Sequence, residues 1–422
     1  MRLFIANTTP SSWKINWFCP ILLLWMSGGA MAQSASWPQW GGPQRNFMVD
    51  AKGLAETWPA GGPKRLWSRE LGEGHSSIVV DQGRLYTMYS RGGQEFVVAL
   101  DAATGKTVWE KSYAAPTTGL KLENGNGPHS TPLVVGNLLF TVGVIGKLQA
   151  FEKQTGAVVW SHDLYQEYGG TRMGRGYSCS PLAYKNTVIV TVGGAGQSLM
   201  AFDQKTGAVV WKKQSFGLSP STPALIKVDG QDQLVIVLAD QVVGMNPNDG
   251  ELLWQHPHPC DWGLNITPPL WGADNILFIS SAYSGGSRAL QLQQSGGKTT
   301  VKELWANRRM RVHHSTMVRL GDLVYGSSGD FGPAPLTAID VKTGAIAWQD
   351  RSFPKANFVY TDNKAILLDE DGQLALVRLS PEGMKVIAKA AVLEHTAWTP
   401  PTLAGTALYL RDRKMIVALD LK

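Results

Sequence analysis

One phrase recurs along this chain in a fixed frame. The copies ALDAATGKTVW, AFEKQTGAVVW and AFDQKTGAVVW end at Trp109, Trp160 and Trp211, and two weaker copies, GMNPNDGELLW and AIDVKTGAIAW, end at Trp254 and Trp348. In every copy a glycine precedes the tryptophan by four residues. A repeat of this length predicts that the 422 residues fold as several copies of one small unit.

The tryptophans set the length of that unit. Successive intervals from Trp67 to Trp348 are 42, 51, 51, 43, 51 and 43 residues, which suits four short strands with their turns. A fainter unit has Gly383 followed by Ile387 in place of the tryptophan, and the last unit has only three strands. The Trp-bearing segment Lys64 to Arg69 would supply the missing strand, so the two chain ends are expected to meet in one blade.

The local pattern around the phrase is typical of β-structure. Segments such as NTVIVTVGG are short, rich in β-branched residues and bounded by turn formers. In the phrase itself, the Asp, Glu or Asn is expected to accept hydrogen bonds from turn amides, the glycine to supply a positive φ, and the tryptophan to bury against the next unit. We therefore predict an all-β, eight-bladed β-propeller of four-stranded blades whose ring is closed by an N-terminal strand.

The N-terminus is typical of an export signal. Arg2 and Lys14 precede an apolar stretch over 17–26, and small residues at Ala30 and Ala32 permit cleavage before residue 33. A signal anchor is less favoured because the apolar run is short for a membrane span. The predicted organisation is a signal peptide over 1–32, an extension over 33–62 that packs on the propeller, and the propeller over 63–422.

Charge and cysteine content narrow the class of protein. Removal of the signal lowers the net charge from +6 to +4, and no run of Lys or Arg indicates a nucleic-acid partner. Cys19 lacks the pattern of a lipoprotein signal, so a lipid anchor is not predicted, and Cys179 and Cys260 are interpreted as isolated buried thiols. We expect a soluble, monomeric, periplasmic or secreted protein with no transmembrane segment after cleavage.

The repeat resembles a known family. The pattern Ala-x-Asp-x-x-Thr-Gly-x-x-x-Trp is similar to the tryptophan-docking repeat of the pyrroloquinoline quinone (PQQ)-like β-propellers over 63–422, and the opening WPQWGGPQRN resembles the N-terminal segment of many exported members. The resemblance implies one of two functions, because the family includes quinoprotein dehydrogenases and also the propeller subunit of the outer-membrane β-barrel assembly machinery, which binds proteins without catalysis.

Two absences in the sequence separate those functions. The chain has no adjacent pair of cysteines like that of the quinoprotein alcohol dehydrogenases, and no loop gathers the oxygen ligands and the base that a calcium-dependent quinone site needs. We therefore favour a non-catalytic binding or assembly scaffold with no catalytic residue and no certain cofactor. The alternative is a quinoprotein-type alcohol or sugar dehydrogenase that binds PQQ with Ca²⁺ at the channel mouth.

Residues that break the repeat are the candidates for a ligand site. The first strand of a propeller blade lines the central channel, and the loop before it lies on one rim. In this chain those loops carry imidazole, guanidinium and aromatic side chains. The candidate ligand-binding residues are His75, His129, Arg172, Arg175, Tyr177, Arg309, Arg311, His313, His314 and Trp398.

Two interpretations of these residues remain open. They form either a cationic, imidazole-rich mouth for envelope proteins, an acidic peptide or an anionic small molecule, or a set of bonds that lock adjacent blades together. A zinc site is not predicted, because His75, His129 and His314 belong to the first, second and sixth units and only two of these are neighbours. Trp262 and Trp398 offer stacking surfaces, but core packing is the favoured interpretation of both.

Overall fold

Strands make up nearly all the regular structure of the computed structural model, which describes residues 36–330 and 332–422. The first sixteen strands are β1 Lys64–Glu70, β2 Val79–Asp81, β3 Arg84–Arg91, β4 Gln94–Asp101, β5 Thr107–Ala114, β6 Leu133–Val135, β7 Leu138–Val142, β8 Lys147–Glu152, β9 Val158–Asp163, β10 Leu182–Tyr184, β11 Thr187–Thr191, β12 Leu199–Asp203, β13 Val209–Lys213, β14 Ala224–Val228, β15 Gln231–Val237 and β16 Gln241–Met245. The predicted signal peptide lies outside the described residues.

The second half of the described chain contains sixteen further strands and one turn of 3₁₀ helix, Asp261–Gly263, which lies between β17 and β18. These strands are β17 Leu252–Pro257, β18 Leu270–Trp271, β19 Ile276–Ser281, β20 Gly286–Ser295, β21 Lys298–Asn307, β22 Val312–Leu320, β23 Leu323–Ser328, β24 Leu336–Asp340, β25 Ile346–Asp350, β26 Asn357–Thr361, β27 Lys364–Leu368, β28 Gln373–Ser380, β29 Gly383–Ala391, β30 Thr402–Ala404, β31 Ala407–Arg411 and β32 Met415–Asp420. In the described ranges, no helix is long and apolar enough to cross a membrane.

The strands form eight antiparallel sheets of four strands each. Blades 1 to 7 each contain four consecutive strands, from β2–β5 in blade 1 to β26–β29 in blade 7. In blade 8, β1 pairs with the outer side of β32, with Lys64 opposite Asp420, and β31 and β30 complete the sheet. The prediction of an eight-bladed propeller closed by an N-terminal strand is confirmed.

The recurrent phrase forms the hairpin between the third and fourth strands of a blade. In blade 1, Asp101 Oδ1 accepts a hydrogen bond of 2.9 Å from the Thr104 amide, and Gly105 has a φ of 70°. A Cβ atom on Gly105 would lie 2.6 Å from the indole of Trp67, so only glycine lets the tryptophan of blade 8 lie against this turn. The Trp67 indole N–H also donates to the Ala102 carbonyl at 3.0 Å. The same ring-on-glycine contact joins Trp109 to Gly156, Trp160 to Gly207, Trp211 to Gly250 and Trp305 to Gly344.

The junction between blades 4 and 5 departs from this pattern. Blade 5 joins two ten-residue strands through Gly296 and Gly297 and has no Asp-Thr-Gly turn. The Trp254 indole instead donates to Gln233 Oε1 of its own blade at 2.7 Å. The phrase therefore predicts the outer strand at Trp254 correctly but not the partner of the tryptophan.

A fully buried arginine joins blade 8 to blade 1. The Arg411 guanidinium donates to the carbonyls of Met88, Ser76 and Gly72 at 2.7, 3.1 and 3.3 Å, and to Thr87 Oγ1 at 3.1 Å. Burial lowers the pKa of Arg411 to about 10, so the side chain remains charged at neutral pH. The last blade and the first blade thus share one cationic hydrogen-bonding centre.

The segment that precedes β1 crosses the channel at one end. Trp37 pairs with Val80 in β2, and the Val49 amide donates to the Tyr360 carbonyl near the end of β26. Arg45 donates to the Ala183 carbonyl in β10 at 3.2 Å. These inner strands begin at the loops that carry the candidate site residues and run towards their first hairpins. The segment therefore lies at the end of the channel opposite to those loops.

The two cysteines of the described chain are free thiols. Cys179 is fully buried, and burial raises the pKa of its thiol to about 12. Cys260 is only partly buried, so the interpretation of two buried thiols is wrong for this residue. The reason is its position in the loop before β18, which reaches the rim of the channel.

Candidate functional site

A cavity of about 850 Å³ occupies the channel, and the loops before the inner strands form its entrance. We call it the mouth pocket, bounded at the entrance by His75, His129, Arg175, His314 and Trp398. Its floor is formed by the N-terminal segment, because the pocket is also lined by Trp40, Arg45, Asn46 and Phe47. The N-terminal segment therefore contributes to the lining at the end of the pocket opposite to these loops.

Aromatic and imidazole rings form a continuous series along one side of the entrance. Neighbouring ring centroids are separated by 4.6 to 5.7 Å, a range in which rings make direct contact. We call this series the ring row; in order of contact it consists of His129, His75, Trp398, His314, His313, Tyr283 and Trp262. Blades 2, 1, 8, 6 and 5, or the loops attached to them, contribute these rings.

Hydrogen bonds from other loops hold several of these rings in place. The Nε2–H groups of His75 and His129 donate to the carbonyls of Asn124 and Arg175 at 3.3 and 3.2 Å, because a carbonyl can only accept. The Trp398 indole donates to Glu370 Oε2 at 3.0 Å. The ring row is thus fixed by neighbouring loops as well as by stacking.

The histidines of the ring row are neutral at neutral pH. Burial, with a smaller contribution from nearby cationic groups, lowers the pKa of His75 to about 3 and that of His313 to about 4. Burial likewise lowers the pKa of His129 to about 4 and holds that of His314 well below its usual value. Their rings therefore offer flat, uncharged surfaces that can still form hydrogen bonds.

Two imidazole nitrogens in the row have no hydrogen-bond partner among the described residues. They are Nδ1 of His313 and Nδ1 of His314, both of which are shielded from solvent. A buried polar atom without a partner is unfavourable by about 1–3 kcal/mol, so these atoms are suited to bond with a group that enters the pocket. Within the described chain, no group of three or more His, Cys, Asp or Glu side chains could hold a metal ion.

Positive charge dominates the rest of the pocket lining. One carboxylate, Asp330, belongs to the lining of the described pocket, against a larger number of cations. Lys355 is 3.2 Å from Glu370 and lies over the Trp398 ring, whereas the Arg172 guanidinium lies over the Tyr165 ring. The cations that line the pocket are Arg45, Lys121, Arg172, Arg175 and Lys355.

The structure brings most of the sequence-predicted site residues together. The seven that line the mouth pocket are His75, His129, Arg172, Arg175, His313, His314 and Trp398. His314 belongs to blade 6 and His75 to the loop before blade 1. Trp398, in the loop before blade 8, contacts both rings and so connects them across blade 7.

Three predicted residues do not line the pocket. Tyr177 is fully buried, and its hydroxyl is 3.2 Å from Thr191 Oγ1, because its amide bonds to the preceding blade and the side chain enters the core. Arg309 is exposed on the turn before β22, and Arg311 is 3.4 Å from Asp330. Proximity in the sequence to His313 was not sufficient to place either arginine in the lining.

Other lining residues were missed or misinterpreted from the sequence. Trp262 is 76% exposed, so core packing is wrong for it; it lies in the 3₁₀ turn with a φ of 57° and lines the mouth pocket. Tyr283 lies between β19 and β20, on a loop that the sequence analysis did not consider. Arg45 and Lys355 carried no local pattern and enter the lining only through the tertiary fold.

The family and the fold can be compared with known proteins. A family model described as outer membrane protein assembly factor BamB matches residues 52–172 and 94–350. Outer membrane protein assembly factor BamB of Burkholderia pseudomallei is 30% identical over 196 residues, which cover 45% of this chain and about half, 47%, of that protein. The alignment with this relative is therefore partial.

Solved structures show the same fold at low sequence identity. BamB from Moraxella catarrhalis superposes with a TM-score of 0.55 at 19% identity, covering 85% of this chain and 99% of the other. Quinohemoprotein alcohol dehydrogenase from Comamonas testosteroni superposes with a TM-score of 0.63 at 13% identity, covering 92% and 81%. Because the family model spans well over half of the residues, the chain belongs to the PQQ_2 family, the family of outer membrane protein assembly factor BamB.

Proposed function

We propose that this protein is a non-catalytic binding or assembly scaffold of the cell envelope that acts in the periplasm. The observation that carries the proposal is the match of the BamB family model to residues 52–350. Known members with that description are named as assembly factors of outer membrane proteins, and a scaffold of this kind needs surfaces and pockets but no reacting group. Its partners would be envelope proteins.

The chemistry of the mouth pocket supports binding in preference to catalysis. Proton transfer in catalysis is most efficient when a group has a pKa near the working pH, whereas burial lowers the pKa of His75 to about 3 and of His129 to about 4. These imidazoles remain uncharged and serve as contact surfaces. Periplasmic location is part of the proposal and depends on the predicted signal over 1–32, which lies outside the described residues.

The alternative function is a quinoprotein-type oxidoreductase, and one observation favours it. Flat rings beside several cations form a surface that suits a planar quinone bearing carboxylates. The residues present do not suit its calcium ion, because a hard dication requires several oxygen ligands and the described lining offers one carboxylate, Asp330, among cations. No catalytic step is therefore assigned to this pocket.

One experiment separates the two functions. The mature protein is mixed with PQQ and Ca²⁺, passed through gel filtration, and examined for quinone absorbance and for dye reduction with alcohols and sugars. In parallel, a tagged copy is isolated from detergent-solubilised envelopes of the native cell after crosslinking. Specific recovery of outer-membrane assembly proteins without retained quinone supports the scaffold. Retained quinone with turnover would overturn it.

A further inference from the structure

We propose that the mouth pocket binds an extended acidic peptide segment that carries an aromatic side chain, and that Glu123 occupies the position of the ligand's carboxylate on Arg175 until the segment arrives. This inference rests on the proposed scaffold function and specifies the chemistry of the partner. In this proposal the ring row recognises the segment, and the Glu123 carboxylate competes with the segment's carboxylate for Arg175.

The shape of the ring row favours an extended ligand. Seven rings in sequence reach from a loop before blade 2 to a loop before blade 5, so a single compact ring could contact only a few of them. The row ends at Trp262, which is 76% exposed and has a φ of 57°, a left-handed conformation that is uncommon outside glycine. Strained, exposed aromatic residues at the lip of a pocket are typical of binding sites.

Unpartnered nitrogens favour a peptide along this row. Nδ1 of His313 and Nδ1 of His314 lack hydrogen-bond partners among the described residues, and both rings line the pocket. In a neutral imidazole, the ring nitrogen without a proton accepts a hydrogen bond from a main-chain amide, and the protonated nitrogen donates to a main-chain carbonyl. A peptide supplies such amides at regular intervals along an extended chain, together with side chains that stack on the rings.

The cations set the charge of the segment. Lys121, Arg172 and Arg175 come from the two loops that precede blades 2 and 3, at the entrance to the pocket. Asp330 provides the one carboxylate of the described lining, so the electrostatic complement of the pocket is an acidic ligand. An acidic segment would be attracted to the entrance, and a basic one would be repelled.

Glu123 already holds the position that such a ligand would use. Its Oε1 is 2.8 Å from Arg175 Nη2, and the two side chains are 59% and 45% exposed. The loops are also joined by bonds that do not involve Glu123, because the Lys121 amide donates to the Gly174 carbonyl and Arg175 Nη1 donates to the Lys121 carbonyl. The Glu123 side chain can therefore leave Arg175 without separating the loops. An exposed ion pair is weak, so a ligand carboxylate can replace it.

The test uses capped peptides and the mature full-length protein. Binding is measured by isothermal titration calorimetry for a hexapeptide of alternating Asp and Phe, for matched Lys-Phe and Asp-Ala peptides, and for PQQ and citrate as compact anions. We expect binding of the Asp-Phe peptide and at least about tenfold weaker binding of the other peptides. Equal affinity for the Lys-Phe peptide, or binding of a compact anion without binding of the Asp-Phe peptide, would overturn the proposal.

Glu123→Gln tests the competing carboxylate. Loss of a weak competing ion pair should tighten binding of the Asp-Phe peptide by about threefold. Glu251→Gln is the matched control, because Glu251 is also 59% exposed and pairs with Lys213, which is 43% exposed, away from the pocket. An unchanged affinity for Glu123→Gln, or an equal gain for Glu251→Gln, contradicts the competing role.

Arg175→Gln and Trp262→Ala test the two halves of the recognition site. Each should weaken binding of the Asp-Phe peptide, by about tenfold for the arginine and about threefold for the tryptophan. Arg378→Gln, which removes an exposed partner of Glu56 outside the pocket, should leave affinity unchanged. If these peptides fail to bind while the intact protein still recovers envelope assembly proteins, the peptide inference is wrong and the scaffold function stands.

Discussion

The docking turns join the third and fourth strands within a blade, whereas the mouth loops join one blade to the next. The two kinds of connection differ in how far they repeat the same residues. At five junctions the docking turn uses one solution, a tryptophan ring lying on a glycine of the next blade. The mouth loops differ from blade to blade, and their side chains meet in one shared pocket. Equivalent blade contacts reuse one residue pattern, whereas the residues that converge on the pocket change from loop to loop.

The largest expected effect comes from removing a docking tryptophan. Trp160 is 9% exposed, and its indole donates to the Gln204 carbonyl at 3.0 Å. Trp160→Ala should lower the free energy of unfolding by about 3–5 kcal/mol, through the loss of buried area and the cavity that remains. Guanidinium unfolding followed by circular dichroism measures the change.

Trp262→Ala is the matched control for this comparison. The side chain is 76% exposed, so the free energy of unfolding should change by less than about 0.5 kcal/mol. A similar loss of unfolding free energy in Trp160→Ala and Trp262→Ala would contradict a structural role that is confined to the docking tryptophan.

The second effect concerns the closure of the ring. Arg411→Met should lower the free energy of unfolding by about 3 kcal/mol, because the buried carbonyls of Ser76, Met88 and Gly72 would lose a shared donor. Thermal unfolding with matched denaturant titrations measures the change. Arg378→Met, at an exposed arginine, should have little effect on stability. An Arg411 variant as stable as the native protein would contradict the closure role.

The third effect separates backbone conformation from ring contact at a docking turn. Gly207 and Gly83 have φ values of 73° and 75°, but a Cβ on Gly207 would lie 2.7 Å from the Trp160 ring and a Cβ on Gly83 would have no neighbour within 4 Å. Gly83→Ala should lower the free energy of unfolding by about 1 kcal/mol, from the left-handed backbone alone. Gly207→Ala should lower it by about 2 kcal/mol or more. Equal effects in denaturant unfolding would mean that the ring contact adds nothing.

The last comparison is a pH dependence that belongs to the mouth. The pKa of His75 is lowered from 6.5 to about 3, so the unfolded chain takes up the proton first as the pH falls. The contribution of His75 to stability is therefore fully present above pH 6.5 and decreases towards pH 3. His75→Phe keeps a ring in the row and should make this decrease shallower. Unfolding free energies measured between pH 7 and pH 4 test the difference.

A buried carboxylate acts in the opposite direction over part of this range. Burial raises the pKa of Glu95 to about 6, so its protonation stabilises the folded state as the pH falls from 6 to 4.5. Glu95 accepts hydrogen bonds from the Tyr113 hydroxyl and the Val144 amide, at the contact between blades 1 and 2. The slope of the unfolding free energy against pH is compared between His75→Phe and the native protein. Glu95 contributes equally to both slopes, so its effect cancels. An unchanged slope in His75→Phe would contradict the lowered pKa of His75.

The fold could be predicted from the sequence further than the site could. The intervals between tryptophans, two fainter units and the Trp-bearing segment Lys64 to Arg69 were together enough to predict the blade count and the closure by β1. The hydrogen bond from the Trp254 indole to Gln233 could not be predicted. It replaces the usual contact with a glycine turn, and only the structure shows that blade 5 lacks that turn. In the site, loop position identified seven lining residues but wrongly included Tyr177, whose side-chain direction depends on the preceding blade.

The sequence by itself determined the repeat, the all-β blades and the class of loop in which recognition residues occur, because strand patterns and turn glycines act over a few neighbouring residues. Tertiary structure alone decided that Trp398 bridges His75 and His314, that Glu123 pairs with Arg175, and that the N-terminal segment forms the floor of the pocket. These contacts join residues far apart in the chain. Their distances are set by the packing of eight blades into one ring, and no local pattern records which side chains meet there.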